Sequence, residues 1–198
     1  MKSKIRTASS VAIVSALAFV GVRAFALQEG HHGNEALVKA LPKAKVTLAQ
    51  GIQQAAKGTA APISAKFEMD DKGALSLSVY TADKGLDKSA EHNVLKELSG
   101  SPESAAWTPE TEAFKDVEHV SRASEQLTLM RLSTKSLLDI VKMAEKSGMV
   151  FSIKPEVENH KGSFEVLVTK DGKVTEIAYD LDGKPLAGHN EKDDDDKD

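Results

Sequence analysis

Apolar positions along this chain recur with two periods, and the switches between them mark out its elements. Leu48, Ile52 and Ala55 share one face at helical spacing. Thr47 precedes them with Gln50 three residues on, the arrangement of a capping box. Lys57-Gly58 then supplies a basic last turn and a C′ glycine. From Ile63 the period falls to two: Ile63, Ala65, Phe67 and Met69 alternate with Ser64, Lys66 and Glu68, the pattern of a half-buried strand. Asp70-Asp71-Lys72-Gly73 is turn chemistry, after which Leu75, Leu77 and Val79 alternate again. Residues 46–81 therefore predict a helix, a strand, a tight turn and a return strand.

The same order of periods comes back over residues 132–186. Ser133 or Thr134 is placed to cap a helix whose apolar face is Leu137, Ile140, Val141 and Ala144, closed by Lys146-Ser147-Gly148. Phe151, Ile153 and Val157 alternate, with Pro155 suggesting an edge strand or a bulge. A turn at Asn159-His160-Lys161-Gly162 leads to a strand with Phe164, Val166 and Val168. Lys170-Asp171-Gly172-Lys173 turns into a third strand with Ile177, Tyr179 and Leu181. Matching Thr47 to Ser133, Ile63 to Phe151 and Lys72-Gly73 to Lys161-Gly162 predicts two copies of one module. A single helix on two or three strands buries little apolar surface, so the copies are expected to share a core.

Between them, residues 92–98 are a candidate third strand and Gly100-Ser101-Pro102 a turn. Pro109 limits regular structure near Trp107. Asp116 is placed to cap a helix carrying Val117, Val120, Ala123, Leu127 and Met130, although residues 126–132 also alternate as a strand would. Residues 27–43 are glycine-rich at first and predict helix only over 35–41.

The chain starts differently. Lys2, Lys4 and Arg6 form a basic n-region, a 12-residue apolar run follows from Val11 to Val22, and Ala24-Phe25-Ala26 places small residues at −1 and −3 of a cleavage site. A bilayer-spanning helix needs about 20 apolar residues, so a cleaved signal is favoured over a retained anchor. The expected organisation is a signal peptide at 1–26, an N-terminal segment at 27–45, a first module at 46–115, a connecting helical segment at 116–131, a second module at 132–188 and a disordered acidic tail at 189–198. The expected location is the periplasm or the outside of the cell.

Charge sharpens the list of partners. The 198 residues hold 26 basic and 30 acidic side chains. Loss of residues 1–26 removes four of the bases and no acid, leaving 22 against 30. With no basic stripe, neither nucleic acid nor an anionic membrane surface is an expected partner. There is no cysteine, so packing alone must hold an exported fold together. Residues 193–197 match the recognition sequence of enteropeptidase, which leaves a tag remnant and a native acidic tail as alternatives.

Candidate chemistry is sparse. His31-His32 lack a partner at ligating spacing, and no His-Glu-x-x-His pattern, nucleophile elbow or phosphate-binding glycine loop occurs. Asp180-Leu181-Asp182-Gly183 faintly suggests a calcium loop but lacks the later oxygen ligands, so a turn is the reading. Trp107, the single tryptophan, is either an anchor for a partner or a cover on the core. No catalytic residue, metal or cofactor is expected.

The module order, with the ending Tyr179-Asp180-Leu181-Asp182-Gly183-Lys184-Pro185-Leu186, resembles the PepSY domain, whose last strand commonly ends in an aspartate followed by a glycine and an apolar residue. Asp180 and Gly183 carry that likeness in the second copy, and the first copy departs from it after Thr81. The resemblance implies an α+β fold, with a helix packed on an antiparallel sheet in each of two αβββ modules. Their tandem layout is similar to that of β-lactamase inhibitory proteins. It implies a non-catalytic exported protein that restrains a peptidase, or binds another envelope protein, through an exposed sheet face. The alternative is an envelope structural or small-ligand-binding protein.

Overall fold

The computed structural model describes residues 30–186. The expected signal peptide and acidic tail lie outside the described residues.

Both predicted amphipathic helices form, and each is started by a reciprocal cap. In α2 (Leu48–Ala55), the Thr47 hydroxyl accepts from the Gln50 amide at 3.2 Å while Gln50 Oε1 accepts from the Thr47 amide at 2.8 Å. In α4 (Leu137–Ala144), Ser136 and Asp139 do the same, at 3.2 and 3.1 Å. The cap is thus Ser136, not Ser133 or Thr134. Ser133 ends the preceding helix, and its hydroxyl donates to the carbonyl of Leu181. Ahead of these lies α1 (Gly30–Ala40), which begins earlier than the glycine-rich pattern predicts and leads into a 3-10 turn at Leu41–Lys43.

Among the described residues, seven strands make one antiparallel sheet: β1 (Ala61–Met69), β2 (Leu75–Ala82), β3 (Leu95–Gly100), β4 (Glu110–Ala113), β5 (Met149–Glu158), β6 (Lys161–Lys170) and β7 (Lys173–Asp180). Their spatial order is β4-β3-β2-β1-β5-β6-β7. Each capped helix is followed by a meander, and the two meanders meet at β1 and β5. That seam has two residue pairs, Ala65 opposite Ile153 and Lys66 opposite Ser152. A bulge falls at Ile63 in β1 and at Phe151 in β5. The fold is α+β.

Turn chemistry sets the register. Asp70 Oδ1 accepts from the amides of Lys72 and Ala74 in the β1–β2 turn. The β5–β6 turn consists of Asn159 and His160, at φ 49° and 64°. Asp171 and Gly172 close β6–β7 at φ 53° and 77°. Positive φ at both central positions matches the right-handed twist of the flanking strands. Gly162, expected in the turn, lies in β6, where a Cβ would meet the side chains of Leu129 and Leu181. Pro155 lies inside β5 instead of on an edge strand or at the bulge. It falls beyond the two seam pairs, where β1 no longer claims an amide from β5.

The segment between the meanders resolves as α3 (Val117–Leu132), capped by Asp116 Oδ1 on the His119 amide at 3.0 Å. Residues 126–132 are therefore helical. Their buried members Gln126, Leu127, Leu129 and Met130 fit helical spacing as well as alternation does. The third strand is Leu95–Gly100, shifted from residues 92–98 because Asn93 is held in the preceding loop by the amides of Lys84 and Val94 and the carbonyls of Gly85 and Lys88.

Leu48, Ile52 and Ala55 of α2 and Leu137, Ile140, Val141 and Ala144 of α4 pack on one face of the sheet. They form a continuous core with Ala65, Phe67, Leu77, Val79, Phe151, Ile153, Phe164, Val166 and Val168. Each Leu, Ile, Val or Phe among them contributes roughly 1.5–3 kcal/mol when fully buried, so this cluster carries a fold that has no disulfide.

Candidate cleft under the connecting helix

Strand alternation sends the partners of the core residues to the opposite face of the sheet. On β1 these are Ser64, Lys66 and Glu68, and on β5 they are Ser152, Lys154 and Glu156. A Ser-x-Lys-x-Glu triplet thus occurs on both central strands, and the seam sets Lys66 directly opposite Ser152. In the sequence, Ser64, Lys66 and Glu68 read only as the polar alternates of a half-buried strand. The triplet at matching places in both hairpins was the signal available.

The Arg122 to Gln126 stretch of α3 lies over this row. Gln126 Oε1 accepts from the Ser64 hydroxyl at 2.7 Å, a bond buried on both sides. Glu125 Oε1 accepts from the Val157 amide at 3.3 Å, on β5 where the seam has ended. Toward its N-terminus α3 is exposed, and a cavity of about 90 Å³ opens between helix and sheet. Ser64, Lys66, Tyr80, Phe114, His119, Arg122, Gln126, Ser152 and Lys154 line it, with Ala65, Ala123 and Ile153. One wall is aromatic. Tyr80 and Phe114 lie 5.5 Å apart between ring centroids, and Phe114 stacks on His119 at 5.3 Å. The Lys66 ammonium stands 5.9 Å from the Tyr80 centroid, within cation–π range.

Among the described residues no carboxylate lines the cavity, and each of its cations is paired with an acid outside the lining. Glu68 pairs with Lys66 and accepts from the Ser78 hydroxyl. Lys154 bridges Glu156 at 2.8 Å and Glu165 at 3.0 Å. Arg122 bonds Glu118 at 3.0 Å, and His119 Nδ1 lies 2.8 Å from Asp116 Oδ1.

Burial by itself pushes the Lys66 ammonium down, but the Tyr80 oxygen and the Glu68 carboxylate together lift it above the ordinary lysine range. At Lys154 the opposition of burial is overcome in the same way by Glu156 and Glu165. Burial holds the Tyr80 hydroxyl above its ordinary range against the pull of Lys66. Glu165 is also raised, by burial first, because Lys154 is shared with Glu156 and the Glu156 charge repels it. Lysines held protonated and a phenol held neutral are hydrogen-bond donors toward the cavity.

Trp107 lies elsewhere and is buried at 3% exposure. Its Nε1 donates to the Gly100 carbonyl at 3.2 Å, and its own carbonyl accepts from Gln54 Nε2 at 2.6 Å. It belongs to the buried core cluster. Asp180 and Gly183 build the turn after β7. Asp180 Oδ1 accepts from the Asp182 and Lys184 amides at 3.0 and 2.8 Å, and Gly183 takes φ 81°. Neither reaches the cavity.

No family model matches the chain, and no curated protein matches it. Among solved structures it is similar to a protein of Clostridium difficile 630 provisionally assigned as a lipoprotein. That similarity is 16% identical, covers 72% of this chain and 91% of the other, and has a TM-score of 0.37, too low to establish a shared fold. No helix of the described residues is long and apolar enough to cross a membrane.

Proposed function

We propose that the protein is an exported, non-catalytic binding protein made of two PepSY-like modules. Its recognition surface is the polar face of the sheet beside α3, and its partner is an exported peptidase or another envelope protein. The observation that carries this reading is the doubled Ser-x-Lys-x-Glu row at the centre of that face. Burying the apolar face is a matter of stability; repeating a charged row where two hairpins meet is not required by packing.

Four correspondences support the two-module origin. Both capped helices have eight residues, both caps are reciprocal, both first strands bulge at their third residue, and Ala65 faces Ile153 across the seam. These fit two units related by an approximate two-fold axis through the Ala65–Ile153 pair. The first unit carries β4 as an extra edge strand, and the second ends in the Asp180–Gly183 turn. Protonated lysines and a neutral tyrosine suit recognition by charge and shape, which sets specificity more than affinity.

The test is a titration of the purified mature chain into exported peptidase activity from the source organism. Activity should fall saturably, and a K66E/K154E double variant that remains folded should lose the effect. Full activity at every ratio of the wild-type chain would remove the peptidase as partner. The small-ligand reading is favoured by one separate observation, the aromatic-walled cavity under α3.

A further inference from the structure

We propose that the cavity between α3 and the sheet is a binding site for a carboxylate carried on a flat apolar group, either a free aryl-alkyl acid or the C-terminal residue of a peptide. This goes beyond the docking of a protein partner and does not depend on it.

Three features of the walls converge on this ligand. Lys66, Lys154 and Arg122 come from β1, β5 and α3 to one small space lined, among the described residues, by no carboxylate. Each ammonium has three donors. Lys66 gives one to Glu68, and Lys154 bonds two glutamates, so donor capacity remains on both. Arg122 bonds Glu118 through one nitrogen only, and its planar fork suits bidentate capture of a carboxylate.

The rest of the wall sets the apolar Ala65, Phe114, Ala123 and Ile153 and the Tyr80 ring among the polar Ser64, His119, Gln126 and Ser152. Tyr80 and Phe114 present ring surface, which favours stacking of a flat hydrocarbon group over burial of a bare inorganic anion. The volume, about 90 Å³, has room for the carboxylate end of such a ligand, with its flat group against the open aromatic wall, and not for a folded segment. The wall over the site is the exposed N-terminal half of α3, so a ligand enters without disturbing the core.

The mature chain is titrated by calorimetry with 3-phenylpropionate, with a tripeptide ending in a free phenylalanine carboxylate, and with the same tripeptide amidated. Saturable binding tighter than about 1 mM is expected for one or both acids and not for the amide. Binding of phenylpropionate identifies a free acid as sufficient, and binding of the tripeptide acid alone assigns the site to peptide C-termini. R122Q, at an exposed position that leaves the core intact, should weaken the complex about tenfold through loss of a charge-assisted bond. K154Q should weaken it similarly. Equal binding of acid and amide, no saturation by either acid, or an unchanged affinity in R122Q would overturn the proposal.

Discussion

Glu165 shows how the polar face balances its charges one residue at a time. It sits on β6 across from Lys154 and is only 18% exposed at its side chain, so its carboxylate loses hydration that a shared lysine restores incompletely. Its proton is held above the ordinary value of 4.5. A carboxyl whose folded-state pKa exceeds its unfolded one binds the proton more tightly when folded. The ionised form therefore costs stability, fully so above the folded pKa, and the cost fades as pH falls to the unfolded value. Asp139 is shifted the opposite way, held down by the Ser136 hydroxyl. Its contribution is present at neutral pH and is lost only as pH falls below the ordinary carboxylate range. The two windows do not coincide. E165Q should thus gain stability over wild type near neutral pH, and the gain should shrink toward zero as pH approaches 4.5. Urea midpoints of both proteins across that range measure it, and a difference independent of pH would contradict the assignment.

At the scale of elements, the two capped helices carry the clearest message from sequence to structure. An N-cap lost to alanine costs about 0.5–2 kcal/mol. T47A and S136A should each cost that much. Because the two caps are exposed and share no partner, their losses should add in the double variant without a change in the urea slope. Thr47 was legible because Gln50 stands three residues on and nothing competes with it. Ser136 was not, because Ser133 and Thr134 precede it, and a hydroxyl that ends one helix looks the same in sequence as one that begins the next. Asn159-His160-Lys161-Gly162 misplaced its turn for a related reason. Glycine signals positive φ, but Asn159 and His160 adopt it, and Gly162 is needed for close approach of Leu129 and Leu181. The alternating core strands could be read outright. The cavity could not, since α3 crosses the sheet through contacts 32 and 62 positions apart in sequence, from Glu125 to Val157 and from Gln126 to Ser64.

For the molecule as a whole, the question is whether two meanders joined by two residue pairs unfold as one body. The seam taken alone is weak: a pair of short ladder contacts cannot hold halves of about 70 residues together. Three other links span it. The core cluster is continuous from Phe67 and Leu77 to Phe151 and Phe164, α2 touches α4, and α3 contacts both β1 and β5. Separating the halves would expose the apolar faces that each helix–meander unit leaves uncovered, and units of that size are marginal alone. One cooperative transition follows. The single tryptophan makes this measurable, because Trp107 is buried in the first half against Gly100 and Gln54, while far-ultraviolet circular dichroism reports on both halves. Tryptophan fluorescence and circular dichroism should give superimposable urea curves. Substituting the seam residue Ile153 by alanine, at 0% exposure, should shift both curves together by about 2–5 kcal/mol. If I153A instead leaves the fluorescence midpoint in place while the dichroism separates into two steps, the halves are independent and the shared core does not bind them into one folding unit.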